Sequence, residues 1–287
     1  MSQSPLQPAE SRTEPANLEA VTDQSPKAKR TWGLIVAFLV LAALGLWLHF
    51  TPPGFWVKLR MVAYAFCHQM PAHSLFDGHL QFPLCARCTG MYLGSLIGLI
   101  LGWVQGRRQG FPPLWVWLVF AFFFLAFAFD GINSTLGVLP GFNQVYPSQN
   151  WLRLLTGFGM GLVMASLLWV AFNQTVWAEH LAAKIYADGR YLLLGLLLSA
   201  GLATLSLFGP SLLKQTLMIL SVLGLLCMLT IIYTIPMTLL IYGQSKLREA
   251  RSLLLPVTLA LLLVITQISL FSYLRFLLTG TLEPFNL

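Results

Sequence analysis

Three of the four cysteines in the chain fall within one short stretch. Cys67 is followed by His68, and then come Cys85-Ala86-Arg87-Cys88, with His73 and His79 between. Two cysteines at C-x-x-C spacing grip one ion from a tight turn, because three residues bring both sulfurs to one side. A third thiolate and an imidazole complete a tetrahedron. Cys67, His68, Cys85 and Cys88 are therefore candidate ligands of zinc, with His73 or His79 as alternatives to His68. The same residues admit two other readings. Cys85 and Cys88 stand where an apolar run begins, and the dipole of a helix starting there would lower a thiol pKa and favour redox chemistry. Thiol–disulfide oxidoreductases relay electrons through a second cysteine pair, however, and only Cys67 is nearby. A structural disulfide on an oxidising face is the third reading. Cys227 lies deep in an apolar run and reads as a small buried apolar residue. Whether the chain is an enzyme stays open on these residues.

A second constellation comprises Asp130-Gly131, Asn133, Asn150 and Arg153, at the edges of two apolar runs. A carboxylate and a guanidinium at a membrane edge are costly unless paired or hydrated. One reading is an Asp130–Arg153 ion pair fixing two helix ends. The other is an anion or lipid head-group site built from Asp130, Asn150 and Arg153, which would suit an enzyme acting on a lipid-linked substrate. Asn133-Ser134-Thr135 is also a glycosylation sequon.

The elements that must position these groups are membrane helices. The chain is 57% hydrophobic and 9% charged, whereas soluble domains run near a quarter charged; the bilayer must be its main solvent. The net charge of +7 sits in short clusters between apolar runs, a pattern of topology rather than of nucleic-acid binding. A span needs about 20 apolar residues, and seven runs qualify: 33–50, 84–104, 112–129, 151–171, 191–208, 215–242 and 252–274. The expected fold is an all-α polytopic membrane helical bundle in the plasma membrane. Residues 1–31, polar and poor in large apolar side chains, are expected to be a disordered cytoplasmic tail. The run after it is too long for a signal-peptide core and is read as a retained span, in a first segment of 32–55. Counting Lys and Arg with the N-terminus inside gives 11 inner residues against 6 outer, so the orientation expected is N-in and C-out. The Cys/His loop then lies outside.

Between the first two spans, Phe55, Leu59, Val62 and Phe66 share one helical face. This predicts an amphipathic interfacial helix with Lys58 snorkelling from its edge. Asp77-Gly78 marks a turn between two short extended pieces. Gly90, Gly94, Gly98 and Gly102 recur every four residues down the second span, echoed by Gly157 and Gly161 in the fourth. Such a stripe marks close helix packing and is a route to a homo-oligomer. A kink or tilt is expected at Pro236 in the long sixth span.

Cys67-His68-Gln69, Pro71, Ser74 and Phe76, followed by Cys85-Ala86-Arg87-Cys88-Thr89-Gly90, Tyr92 and Gly94, closely resemble the domain of unknown function 2085 family of prokaryotic membrane proteins. Asp130-Gly131 and the run Asn150, Arg153, Gly157, Gly161 are similar to its later motifs. The resemblance covers roughly residues 60–165 and departs at Ala72-His73, where the family more often carries an acidic–basic pair. It implies that the cysteine loop and the Asp–Arg edge belong to one unit, and it brings no activity with it. Residues 56–171 are accordingly read as a core unit and 172–287 as an appended three-helix module. The leading expectation is a zinc-binding membrane protein with a binding or transport-related role. A thiol oxidoreductase using Cys85 and Cys88, or an enzyme on a lipid-linked substrate at Asp130 and Arg153, are the alternatives.

Overall fold

A computed structural model describes residues 26–283 apart from 138, 140, 180, 245 and 246. Of the expected tail 1–31, residues 1–25 lie outside the described residues. Helix α1 runs Pro26–Phe50 and α2 Phe55–Tyr64. A hairpin follows, β1 Ser74–Asp77 and β2 Leu80–Cys85, and then α3 Ala86–Val104. The short strand β3 Arg108–Gly110 leads to α4 Leu114–Leu136 and α5 Asn150–Val176. Strand β4 Leu181–Lys184, α6 Gly189–Phe208, α7 Ser211–Tyr242 and α8 Leu254–Thr279 complete the chain. Seven of these helices are long and apolar enough to cross a membrane, so the all-α multi-pass architecture stands. Helix α1 already begins at Pro26, within the stretch expected as tail. Helix α4 runs nearly two turns past the expected end at 129, and α7 continues through Pro236 without a break.

The centre of the bundle is the α3–α5 pair, and glycine explains it. A Cβ on Gly90 or Gly94 would collide with the backbone of Leu154 or Phe158, and one on Gly157 or Gly161 with the carbonyls of Arg87 or Met91. The two backbones touch, as packing without a hydrophobic driving force requires. This corrects one expectation: the stripe faces α5 of the same chain, leaving no room there for a second copy. Around the pair, α6 packs Gly195 against Leu101 and α7 packs Gly224 on the Tyr92 carbonyl. Helix α8 is joined to α7 by Tyr233 Oη donating to Gln267 Oε1 at 2.8 Å. Helices α6 and α7 thus share the core with residues 56–171, and α8 packs on α7 and α1. The opposite case is α1: only 6% of its span is buried, and it leans on α8.

Helix α2 forms as expected, but its buried face is Met61, Ala63 and Tyr64. The Phe55-Leu59-Val62 face turns outward, with Phe55 exposed. Lys58 does not snorkel. Its Nζ donates to Leu48 O at 2.7 Å and to Thr51 Oγ1 at 2.9 Å, satisfying the open C-terminal end of α1.

Candidate metal centre

After α2 the chain must reverse to meet α3, and Gln69 makes the reversal in the left-handed region, at φ 56°. Its fully buried side chain donates to Arg60 O at 2.9 Å and Pro83 O at 2.8 Å. Gln81 Nε2 donates in turn to Gln69 O at 2.7 Å and Ser74 Oγ at 3.0 Å. The hairpin turns at Asp77-Gly78 as the sequence predicts, with Gly78 at φ 59°. Its tip is held by α7, since Ser211 Oγ donates to Asp77 Oδ2 at 2.5 Å and Gln215 Nε2 donates to the same oxygen at 3.2 Å. These bonds hold the Asp77 carboxyl below its usual range.

The clamp brings Cys67 to the start of α3. Cys85 is the N-cap residue there, and its N–H donates to Cys67 Sγ at 3.2 Å. The Sγ atoms of Cys67, Cys85 and Cys88 all lie within 4.8 Å of one another, and all are free thiols. Cys67 and Cys85 are buried. Hydrogen bonds from the Cys67 and Cys88 thiols hold Cys85 well below the ordinary thiol range, and the bond with Cys85 pushes Cys67 up to about 12. Within the cluster, these hydrogen bonds and the dipole of the helix that starts there favour negative charge on Cys85 over its two neighbours. A divalent ion entering it would displace the remaining protons.

His68, expected as the fourth ligand, is not in this set. Its Nε2 sits 3.2 Å from His73 Nδ1, while His79 is exposed near the hairpin tip. Burial lowers both paired imidazoles. For His73, Arg153 and His68 add to burial and the value falls to about 4. Arg275 of α8 reaches into the loop from outside the core unit. It donates to the carbonyls of Tyr64 (2.7 Å), Cys67 (2.5 Å) and His68 (3.3 Å), and its guanidinium stacks 3.8 Å from the Tyr64 ring centroid.

The second constellation lies at the same end of the bundle but is wired differently. Asp130 pairs with Arg87, not with Arg153: Arg87 Nε donates to Asp130 Oδ2 at 3.2 Å, its Nη2 also reaches that oxygen, and Tyr146 Oη donates to Oδ1 at 2.9 Å. Burial and this bond push the Tyr146 phenol up to about 12. Arg153 donates instead to Asn150 Oδ1 at 3.1 Å and to Ser134 Oγ. Asn150 Nδ2 donates at 3.2 Å to the carbonyls of Ala72 and Ser74, tying α5 to the hairpin. The reason for the correction is position. Asp130 lies inside α4, not at its end, and points at the first turn of α3. Asn133 is buried too, its Oδ1 accepting from Val145 N at 2.7 Å, which removes the sequon from use. The roles of Arg87, Tyr146 and Arg275 escaped the sequence reading. One signal was present: Asp130 is the only acid inside any span, and Arg87 is at least as close to an apolar edge as Arg153.

Among known proteins, the family model described as predicted membrane protein (DUF2085) matches residues 67–167. That segment holds the three clustered cysteines, Arg87, Asp130 and Arg153, and excludes α6 to α8. An uncharacterized protein of Methanocaldococcus jannaschii is 30% identical over 132 residues, covering 44% of this chain and 78% of the relative. An uncharacterized protein of Methanothermobacter thermautotrophicus is 28% identical over 102 residues, covering 35% and 82%. No solved structure matches the chain. The thiol loop, the glycine-packed helix pair and the arginine–aspartate edge all lie in the matched segment, and the chain belongs to the DUF2085 family of predicted membrane proteins.

Proposed function

We propose that this protein binds a thiolate-preferring divalent metal ion, zinc in the first instance, through Cys67, Cys85 and Cys88, as a binding or transport-related membrane protein. The observation that carries the reading is the convergence of three free sulfurs within 4.8 Å, where a disulfide would need two. The low thiol pKa of Cys85 supports it, because the ligand form is the thiolate. Three protein ligands leave a fourth position for an exchangeable group, as in sites that handle a ligand, whereas closed structural sites supply all four. His68, bonded through Nε2 to His73 Nδ1 at 3.2 Å, stands outside the three-sulfur set in this geometry.

The test is metal content of the purified full-length chain, set beside a thiol count under non-reducing conditions. One equivalent of metal is expected, lost alike in Cys67→Ser, Cys85→Ser and Cys88→Ser. A metal-free protein with a Cys85–Cys88 disulfide that cycles with reductant would overturn the reading in favour of thiol redox chemistry. In that case Cys67→Ser would be the mildest of the three.

A further inference from the structure

A cavity of about 740 Å3 lies away from the arginine–aspartate edge, between α1 and α8. Ala43, Trp47 and Phe50 of α1 face Ile265 and Phe276 of α8 across it, and Met61 of α2 contributes to the lining. At a rise of about 1.5 Å per residue, the stretches 43–50 and 265–276 extend about 10 and 16 Å. That is the depth of one leaflet, since the whole hydrocarbon core is about 30 Å. Spread over about 13 Å, the volume gives a cross-section of about 57 Å2, enough for an extended hydrocarbon chain.

The ends of the lining carry charge. Lys58 Nζ is bonded to Leu48 O at 2.7 Å and Thr51 Oγ1 at 2.9 Å and only loosely to Thr51 O at 3.4 Å, which leaves one N–H to exchange for a phosphate oxygen, and Thr51 lines the cavity. Arg60 lies 3.8 Å from the exposed carboxylate of Glu283, next to the lining residue Leu282, and its Nε is buried without a hydrogen-bond partner among the described residues. Two cations thus stand at the membrane edge of an apolar groove against one loosely held carboxylate. Helix α1, which leans on little besides α8, gains an apolar neighbour if the groove is filled.

We propose that the α1–α8 groove is a binding site for one anionic phospholipid, with an acyl chain along the groove and its phosphate at Lys58 and Arg60. None of the three clustered cysteines lines the groove. The experiment is native mass spectrometry of the full chain in mild detergent, with phosphatidylglycerol or phosphatidylcholine of identical chains added in turn. One phosphatidylglycerol per chain is expected, retained over phosphatidylcholine by about five-fold per cation, or about 25-fold for both. Lys58→Gln with Arg60→Gln abolishes the preference, and Ala43→Phe with Ser269→Phe, which fills the groove, abolishes retention of both lipids. Equal retention of the two lipids by the parent chain overturns the proposal without recourse to any variant. Undiminished phosphatidylglycerol in a folded groove-filling variant overturns it too, as does a Ser269→Cys chain that crosslinks to a second copy through the groove.

Discussion

The Arg87–Asp130 pair makes a quantitative prediction that separates the observed wiring from the Asp130–Arg153 pairing the sequence suggests. The Asp130 side chain is 2% exposed and that of Arg87 20%. Removing one partner of a buried ion pair costs about 3–5 kcal/mol, because the other charge is left without compensation. Arg87 keeps some water and retains its bond to the Asp130 main-chain carbonyl at 3.0 Å, so the lower end applies. Asp130→Asn, which preserves shape and still accepts from Tyr146, is expected to cost about 3 kcal/mol. Arg87→Met is expected to cost a similar amount. The double variant should cost little more than either single, giving a coupling of about 2 kcal/mol in a double-mutant cycle. The cycle of Asp130→Asn with Arg153→Met should couple by about 0.5 kcal/mol, well below the Arg87 cycle, since among the described residues Arg153 hydrogen-bonds neutral Asn150 and Ser134 and feels Asp130 only through space. The assay is reversible unfolding in mixed micelles followed by circular dichroism. Additive costs for Arg87 and Asp130, together with strong coupling of Asp130 to Arg153, would refute the assignment and the α3–α4 registry built on it.

Three further outcomes follow from particular contacts. Gly94→Ala should destabilise by about 2–3 kcal/mol through overpacking against the Phe158 backbone, while Gly45→Ala and Gly201→Ala, with open space around them, should be neutral or slightly stabilising in the same unfolding assay. Arg275→Met, which keeps the stem and removes three hydrogen bonds, should loosen the loop by about 2 kcal/mol; maleimide should then reach Cys67 about 30-fold faster, with Arg275→Lys intermediate. His73 is held neutral down to about 4, so the unfolded chain binds the extra proton first: this contribution is intact above the ordinary histidine value near 6.5 and is lost as the pH falls from there toward 4. His73→Gln should flatten the pH dependence of unfolding across that window, and an unchanged slope would discount the titration.

What the sequence made legible was whatever depends on a run or a local turn. Seven apolar runs became seven spanning helices because backbone polar groups in lipid must be satisfied within the segment. Asp77-Gly78 became the hairpin turn because only that dipeptide sits where the chain must reverse between two extended pieces. The glycine stripe was legible as a contact but not as to its partner. Spacing reports that a face is bare, and only the arrangement of helices says which backbone, here that of Leu154 and Phe158, will lie on it.

The candidate site divides along the same line. Cys85 and Cys88 are neighbours through the first turn of α3, so their approach is local. Cys67 joins them because buried Gln69 and half-buried Gln81 lock the reversal after α2, and two glutamines carry no pattern that announces this. The pairing of Asp130 was harder still. Two arginines stood near helix ends, and choosing between them required the rotation of α4 about its own axis, which a helix of uniformly apolar residues does not encode in periodicity. Arg275 was out of reach for a different reason: it lies more than 200 residues from the carbonyls it holds, in a span beyond the segment shared with the family. The thiol cluster of this chain is therefore held on two sides by α7 and α8, at Asp77 and at the Cys67 carbonyl. A fragment ending near residue 167 would retain all three sulfurs and lose both clamps. If those clamps set the geometry of the centre, such a fragment should bind metal more weakly than the full chain even where its α3–α5 pair remains folded.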